Sequence, residues 1–288
     1  MGSDQRPDAW RTGITTYDDT HIWIHGYDVT EMMKEATFSA VVFLLHKGRL
    51  PNEGERRLID AILIACADHG PGSPSAAAAR TVATGNRRAP EAAVAAGILA
   101  IGDAHGGAGL ACLEMIGDAL ARIEREGVSV ADAARLTVED ARRSGRRLPG
   151  LGHRTHSTDP RTQVVFGIAR QYGLAGTGVQ FMIELERAVA AAIKPLPINV
   201  DGAIAAVLHD LGFPAALGKL FFIIGRVAGL SAQVTEEYTR ERPMRVKVPF
   251  TYDGPPPRPL PGSAGRNASG PEVGRTLSGP AKHVKEEA

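Results

Sequence analysis

The sequence predicts an all-α protein with one short β-hairpin near its N-terminus. Three observations lead to that class. From Val29 to Glu241 apolar residues recur at a period near 3.6 in almost every segment. Each segment is bounded by a capping residue, a glycine or a proline. The stretch GITTYDDTHIWIHGYD (13–28) alternates apolar and polar residues about an Asp-Asp pair, which is the pattern of a hairpin. Trp23 is expected on its exposed face, with Ile22 and Ile24 partly buried.

The helices follow in order. Thr30 is placed to cap EMMKEATFSAVVFLLHKG (31–48), and Gly48 and Pro51 stop it. NEGERRLIDAILIACADHG (52–70) sets Leu58, Ile62 and Ala65 at helical spacing and ends at Gly70. SPSAAAARTVATG and APEAAVAAGILAIGDA read as small-residue helices. Then come GGAGLACLEMIGDALARIEREG, SVADAARLTVEDARRSG, DPRTQVVFGIARQYGL, GVQFMIELERAVAAAI, DGAIAAVLHDLG and PAALGKLFFIIGRVAGLSAQVTEEYTRE. About ten helices result. From Pro256 to Ala288 the chain turns to Pro, Gly, Ser and charge, with few large apolar residues. Such a composition buries too little surface to offset its ordering entropy, so a disordered tail is expected there.

Bulk numbers narrow the function classes. The 288 residues suffice for a sizeable core, and 43% are hydrophobic. Thirty-three basic against 32 acidic residues leave a formal charge of +1, so no global field points to nucleic acid or to an anionic membrane. Cys66 and Cys112 sit in apolar helical runs without a CxxC pattern, which reads as two buried free thiols in a reducing compartment. No apolar run reaches the ~18 residues of a membrane span, and the polar N-terminus lacks a signal-peptide core. A cytoplasmic protein is expected.

Chemistry concentrates at four helix junctions: ADHGPGSP (67–74), IGDAHGGAG (101–109), LPGLGHR (148–154) and INVDG (198–202). Each sets a titratable residue beside glycine or proline. Glycine lets backbone approach a ligand closely, and helix N-termini offer free N–H groups to anions. The loop RRLPGLGHRTHSTDPR (146–161) adds Arg146, Arg147, His153, Arg154, His156 and Arg161. A solvated basic surface loop and a site for an anionic substrate both fit it. Taken alone, Asp201 reads as an N-cap. The histidine spacings suggest no metal site.

These junctions, in this order, resemble those of the citrate synthase superfamily. HIWIHGYDVTEMMKEATFSAVVFLLHKGRLP is similar to the family's N-terminal Gly-Tyr-Asp segment and its following helix. LPGLGHRTHSTDPR resembles its Pro-Gly-x-Gly-His loop closed by Asp-Pro-Arg. GRVAGLSAQVTEE resembles its late arginine-bearing helix. The likeness runs from about residue 12 to about 254. ADHGP, GILAIGDAHGGA, GLGHR and NVDG look most like the short citryl-CoA lyases and the citrate-synthase-like C-terminal module of ATP-citrate lyase. One position departs from that module: His105 stands where its animal form has an aromatic residue and where citrate synthases have a catalytic histidine.

The resemblance implies a reaction that splits or joins the carbon–carbon bond between acetyl-CoA and oxaloacetate. It assigns Asp201 as the acid or base at the acetyl carbon, His105 as the donor to the enolate oxygen, and His153 as the group that handles the hydroxyl proton. Positioned acids and bases of this kind each supply ~10²–10⁴ in rate, about 3–5 kcal/mol. It assigns His69, Arg161 and Arg226 to the substrate carboxylates and carbonyl, and Gly150, Leu151, Gly152 and Arg154 to coenzyme A. Arg143, Arg146 and Arg147 fit either CoA phosphates or a solvated helix end. An arginine donated by a second subunit has two candidates, Arg242 and Arg245.

The same likeness implies a citrate-synthase-like fold over residues 1–255. A larger unit (about 12–105 plus 212–255) would carry an inserted smaller one (about 106–211), in an obligate homodimer with no permanently bound cofactor. The CoA thioester would be substrate. Three functions remain in view: citryl-CoA lyase, citrate or 2-methylcitrate synthase, and a non-catalytic homologue.

Overall fold

The structure is a computed structural model that describes residues 10–103, 105–106, 108–152 and 158–258. The expected tail lies outside the described residues from 259 onward. The chain divides into two units, residues 1–246 and 247–288. Residues 247–258 of the second unit form no helix or strand.

The hairpin closes where the Asp-Asp pair requires. Asp18 Oδ1 accepts the N–H groups of Thr20 and His21, each at 2.8 Å. Strand β1 (Thr15–Tyr17) pairs antiparallel with β2 (Ile22–Ile24), and a third strand, β3 (Tyr27–Asp28), adds to β2. Two residues are too few to show an alternation, which is why sequence reading misses β3. Ile24 is half-buried as expected, but the other two exposures are reversed. Ile22 is 51% exposed opposite Tyr17 beside the hairpin turn, whereas Trp23 is half-buried and stacked on His21 at 5.2 Å.

The single helix expected from Thr30 is two. Asp28 caps α1 (Val29–Glu35) by accepting from Thr30 and Glu31, while Thr37 caps α2 (Phe38–Lys47) by accepting from Ala40. A side chain that can accept from the backbone offers the chain a fresh start, and Ala36 takes the extended conformation between the two helices. Helix α3 (Glu53–Cys66) opens with a capping box between Asn52 and Glu55. It ends before Gly70, because the Cys66 carbonyl is taken by Arg226 and the 67–73 turn follows.

Eight more helices complete the described residues: α4 (Pro74–Gly85), α5 (Pro90–Leu99), α6 (Ala108–Glu126), α7 (Val130–Ser144), α8 (Pro160–Gln171), α9 (Thr177–Ala192), α10 (Val200–Asp210) and α11 (Leu217–Arg240). The all-α reading with a small N-terminal sheet therefore holds. Helices α6 to α10 pack chiefly on one another, with α10 against α6, α8 and α9. Residues 202–208 of α10 are all buried, as a helix apolar on every face must be. Helix α11 packs on α3, α4, α5 and α6.

Helix α11 is long and apolar enough by composition to cross a membrane. It also carries Arg226, Gln233 and Glu237, all buried against protein partners, as befits a core helix. Its glycines let neighbours approach closely: a Cβ at Gly229 would lie 1.9 Å from the Ala67 carbonyl oxygen. That contact sets the 66–69 turn directly against α11.

Candidate active site

The N-terminus of α10 organises one side of the site. Asn199, not Asp201, is its N-cap: Asn199 Oδ1 accepts the Gly202 N–H at 3.1 Å. Asp201 is the second residue of the helix and is spared from capping. Asp159 caps α8 and is almost wholly enclosed, its side chain 1% exposed. Its carboxylate accepts from Arg161 Nε at 3.0 Å and a terminal Arg161 nitrogen at 2.9 Å, and also from the Val200 N–H at 3.0 Å. The fork fixes the plane of the Arg161 guanidinium and ties it to α10.

Arg226 and His105 organise the other side. Arg226 is 3% exposed. Its Nε donates to the Cys66 carbonyl at 2.8 Å, and NH1 donates to Ser75 Oγ at 3.1 Å. Its guanidinium lies 4.6 Å from the Phe222 ring centroid. Burial pulls the Arg226 pKa down, offset in part by neighbouring anions. His105 is held by a tight turn in which it and Gly102 exchange backbone hydrogen bonds of 2.9 and 3.0 Å. Gly106 follows at φ +77, where a Cβ would lie 2.5 Å from the Phe222 ring. Phe222 meets the His105 ring edge-on at 6.0 Å.

Ser75 decides the state of His105. The Ser75 backbone N–H donates to His105 Nε2 at 3.3 Å, and Ser75 Oγ lies 2.9 Å from the same nitrogen. An acceptor Nε2 puts the ring proton on Nδ1 and leaves the imidazole neutral. The Ser75 N–H contact favours the tautomer with the ring proton on Nδ1.

These groups meet in one cavity of about 510 Å³, lined by His69, His105, Gly152, Arg161, Asp201 and Arg226 together with Cys66, Ser73, Asn199 and Phe222. Two guanidinium groups and one carboxylate share it. Desolvation raises the Asp201 pKa above its ordinary 3.8, and Arg161 offsets that only in part. Burial pushes the Cys66 thiol up to about 12, so this wall residue is an inert thiol at neutral pH. Among the described residues no three His, Cys, Asp or Glu side chains gather as a metal site.

Six of the ten residues expected at the site thus line one cavity. Gly150 and Leu151 are not among its lining residues. Gly150 (φ +81) is pressed between Cys112 and Gly202, and Leu151 bridges to Ile198. His153 and Arg154 lie outside the described residues. Arg245 is engaged within its own chain, by Glu237. Sequence reading missed Ser75, Phe222, Asp159 and Asn199. Asp159 and Asn199 were flagged by nothing beyond their places in DPR and NVDG. Phe222 precedes Arg226 by one helical turn, the spacing that sets two side chains on one face.

Comparison with known proteins adds the family. Residues 51–247 match the model of the citrate synthase C-terminal domain, and the chain belongs to the citrate synthase family. It is similar to the structure of citryl-CoA lyase from Hydrogenobacter thermophilus, with 38% identity, TM-score 0.79, and 88% of this chain and 97% of that one covered. It shares its fold with ATP citrate lyase from Methanothrix soehngenii, at 20% identity and TM-score 0.74 over 87% of this chain and 43% of that one. The citrate synthase of Haloferax volcanii is 27% identical over 230 residues, 78% of this chain. The chain spans 58% of that relative's length.

Proposed function

We propose that this protein is a citryl-CoA lyase, splitting citryl-CoA into acetyl-CoA and oxaloacetate. The observation that carries the reading is the convergence of Asp201, His105, Arg161 and Arg226 on one cavity. Similarity to a citryl-CoA lyase over nearly all of that protein's length supports it.

The chemistry follows from the groups. Arg161 and Arg226 pair with the carboxylates of the C4 portion, each held in place by its own protein partners. His69 hydrogen-bonds that portion from the exposed side of the cavity. His153 accepts the hydroxyl proton of citryl-CoA. The carbon–carbon bond breaks, the hydroxyl carbon becomes the oxaloacetate carbonyl, and the bonding pair passes to the acetyl-CoA enolate. His105 Nδ1–H donates to the enolate oxygen. Asp201 then delivers a proton to the acetyl carbon, a task that a raised carboxyl pKa serves.

Gly150, Leu151, Gly152 and Arg154 would receive the coenzyme, a substrate rather than a resident cofactor. A hollow of about 550 Å³ lined by Arg146, Arg147, Leu148 and Pro149, the residues leading into Gly150, and also by Glu114 and Asp118, suits its nucleotide end. Arg143 is paired with Asp140, which leaves Arg146 and Arg147 as the phosphate contacts. Closure of residues 106–211 toward the flanking helices would keep the enolate from water.

The working unit would be a homodimer. Helix α5 is apolar on nearly every face, and Leu99 at its end is 85% exposed. With Arg245 engaged by Glu237, exposed Arg242 becomes the arginine a second copy would donate.

One assay tests the proposal. Purified protein given citryl-CoA should form acetyl-CoA and oxaloacetate faster than citrate and free CoA. Rapid release of CoA from acetyl-CoA plus oxaloacetate would replace the lyase reading with citrate synthase, which the Haloferax relative favours and which uses the same carbon–carbon step. Inertness in both directions would leave the non-catalytic homologue.

A further inference from the structure

We propose that Asn199 is a positioning residue that fixes the peptide leading into His153 relative to Asp201. The catalytic half of this inference rests on the lyase reading above; the structural half does not.

One side-chain amide serves two neighbours. Asn199 Oδ1 accepts the Gly202 N–H at 3.1 Å and closes the first turn of α10, on which Asp201 stands. Asn199 Nδ2 donates to the Gly152 carbonyl at 2.9 Å, the last backbone acceptor before His153. Capping alone would be served as well by Asp or Ser, and nearly as well by Thr. An amide is the short side chain that accepts at one atom and donates at the other.

The surrounding backbone makes the clasp stiff. The Asn199 N–H donates to the Gly150 carbonyl at 3.0 Å, and the Gly152 N–H donates to the Pro197 carbonyl at 2.7 Å. A Cβ at Gly202 would lie 2.4 Å from the Gly150 carbonyl oxygen, and one at Gly150 would lie 2.6 Å from Cys112 Sγ. Gly150 is therefore pinned between α6 and α10, and Gly152 is tied to Pro197 ahead of α10. The Asn199 amide extends that registration to the Gly152 carbonyl.

Two variants of the full chain test this, Asn199→Ser and Asn199→Asp. Each keeps an oxygen for the Gly202 N–H. Serine is too short to reach the Gly152 carbonyl, and aspartate offers it no donor. With citryl-CoA, kcat should fall about 10–100-fold, the scale of a displaced reacting group, while KM stays within about twofold. In amide deuterium exchange, the peptide carrying Gly152 should exchange faster, and residues 203–210 of α10 should keep their protection. A kcat within about twofold of the parent in a variant with unchanged exchange at Gly152 overturns the proposal. Equal loss of protection in the loop and in α10, in both variants, also overturns it, because Asn199 would then act as a cap alone. A parent protein inactive in both directions removes the lyase reading, and the exchange measurement still decides the clasp.

Discussion

Asp201 carries two opposing demands in one carboxylate. Its proton-transfer task calls for a cavity poor in water, and that same desolvation raises its pKa above 3.8. A carboxyl whose folded pKa is raised favours the folded state below its unfolded pKa, and that contribution is lost as pH rises through the folded value. Asp201→Asn should therefore raise the melting temperature at neutral pH, with the gap to the parent narrowing as pH falls and closing below 3.8. The same change should cut turnover by ~10²–10⁴. Thermal melts across pH and steady-state kinetics check both halves, and a variant that keeps full turnover removes Asp201 from the mechanism. Ser75 poses a subtler test. Its Oγ accepts from Arg226 and lies against His105 Nε2, whereas its backbone N–H alone suffices to set the tautomer. Ser75→Ala should keep His105 neutral yet loosen both side chains, lowering kcat about 10-fold. An NMR titration of His105 showing an imidazolium at neutral pH in the variant would contradict that division of labour.

At the scale of elements, α11 joins the site to the far end of the helical core. Arg226 reaches back to α3 and α4, and two turns on, Gln233 donates to Asp68, the residue before His69. Glu237, fully enclosed, then accepts from Arg80 of α4 and from Arg245. These pairs hold its carboxyl below its ordinary 4.5, so their stabilisation is present above that pH and is lost as pH falls through the folded value. Glu237→Ala leaves Arg80 and Arg245 without their shared anion. The expected loss is about 3 kcal/mol, toward the low end for a broken buried pair because both arginines keep partial exposure. Denaturant unfolding at pH 7 measures it; a loss below about 1 kcal/mol would mean that solvent replaces the carboxylate.

For the whole molecule, the proposed dimer has a direct test. Light scattering at micromolar concentration should give twice the 30.4 kDa chain mass, and Leu99→Glu should shift the protein toward monomer. Charge on an exposed apolar helix end opposes an interface and costs a monomer little. A parent that scatters as a monomer ends the proposal that Arg242 acts across copies. A dimer unaffected by Leu99→Glu places the interface elsewhere.

Much of this was legible in the sequence. Periodicity gave the helices, because amphipathic burial repeats at 3.6 residues wherever one face meets a core. The motifs ADHGP, DAHGG, GLGHR, DPR and NVDG marked His69, His105, Gly152, Arg161 and Asp201 through their resemblance to the citrate synthase family; glycine and proline at helix ends marked only that these junctions could approach a ligand. The α1–α2 break was not legible, since Asp28 and Thr37 compete with Thr30 for the same capping role and only packing selects between them. Nor was the cap of α10, where Asn199 and Asp201 are equivalent as capping residues but one faces the Gly152 carbonyl and the other a cavity. Ser75, Phe222 and Asp159 act on partners 30, 117 and 41 residues away along the chain. Local sequence determines which residues can cap, pair or titrate; contacts across such separations, and the water they exclude, are decided by tertiary structure.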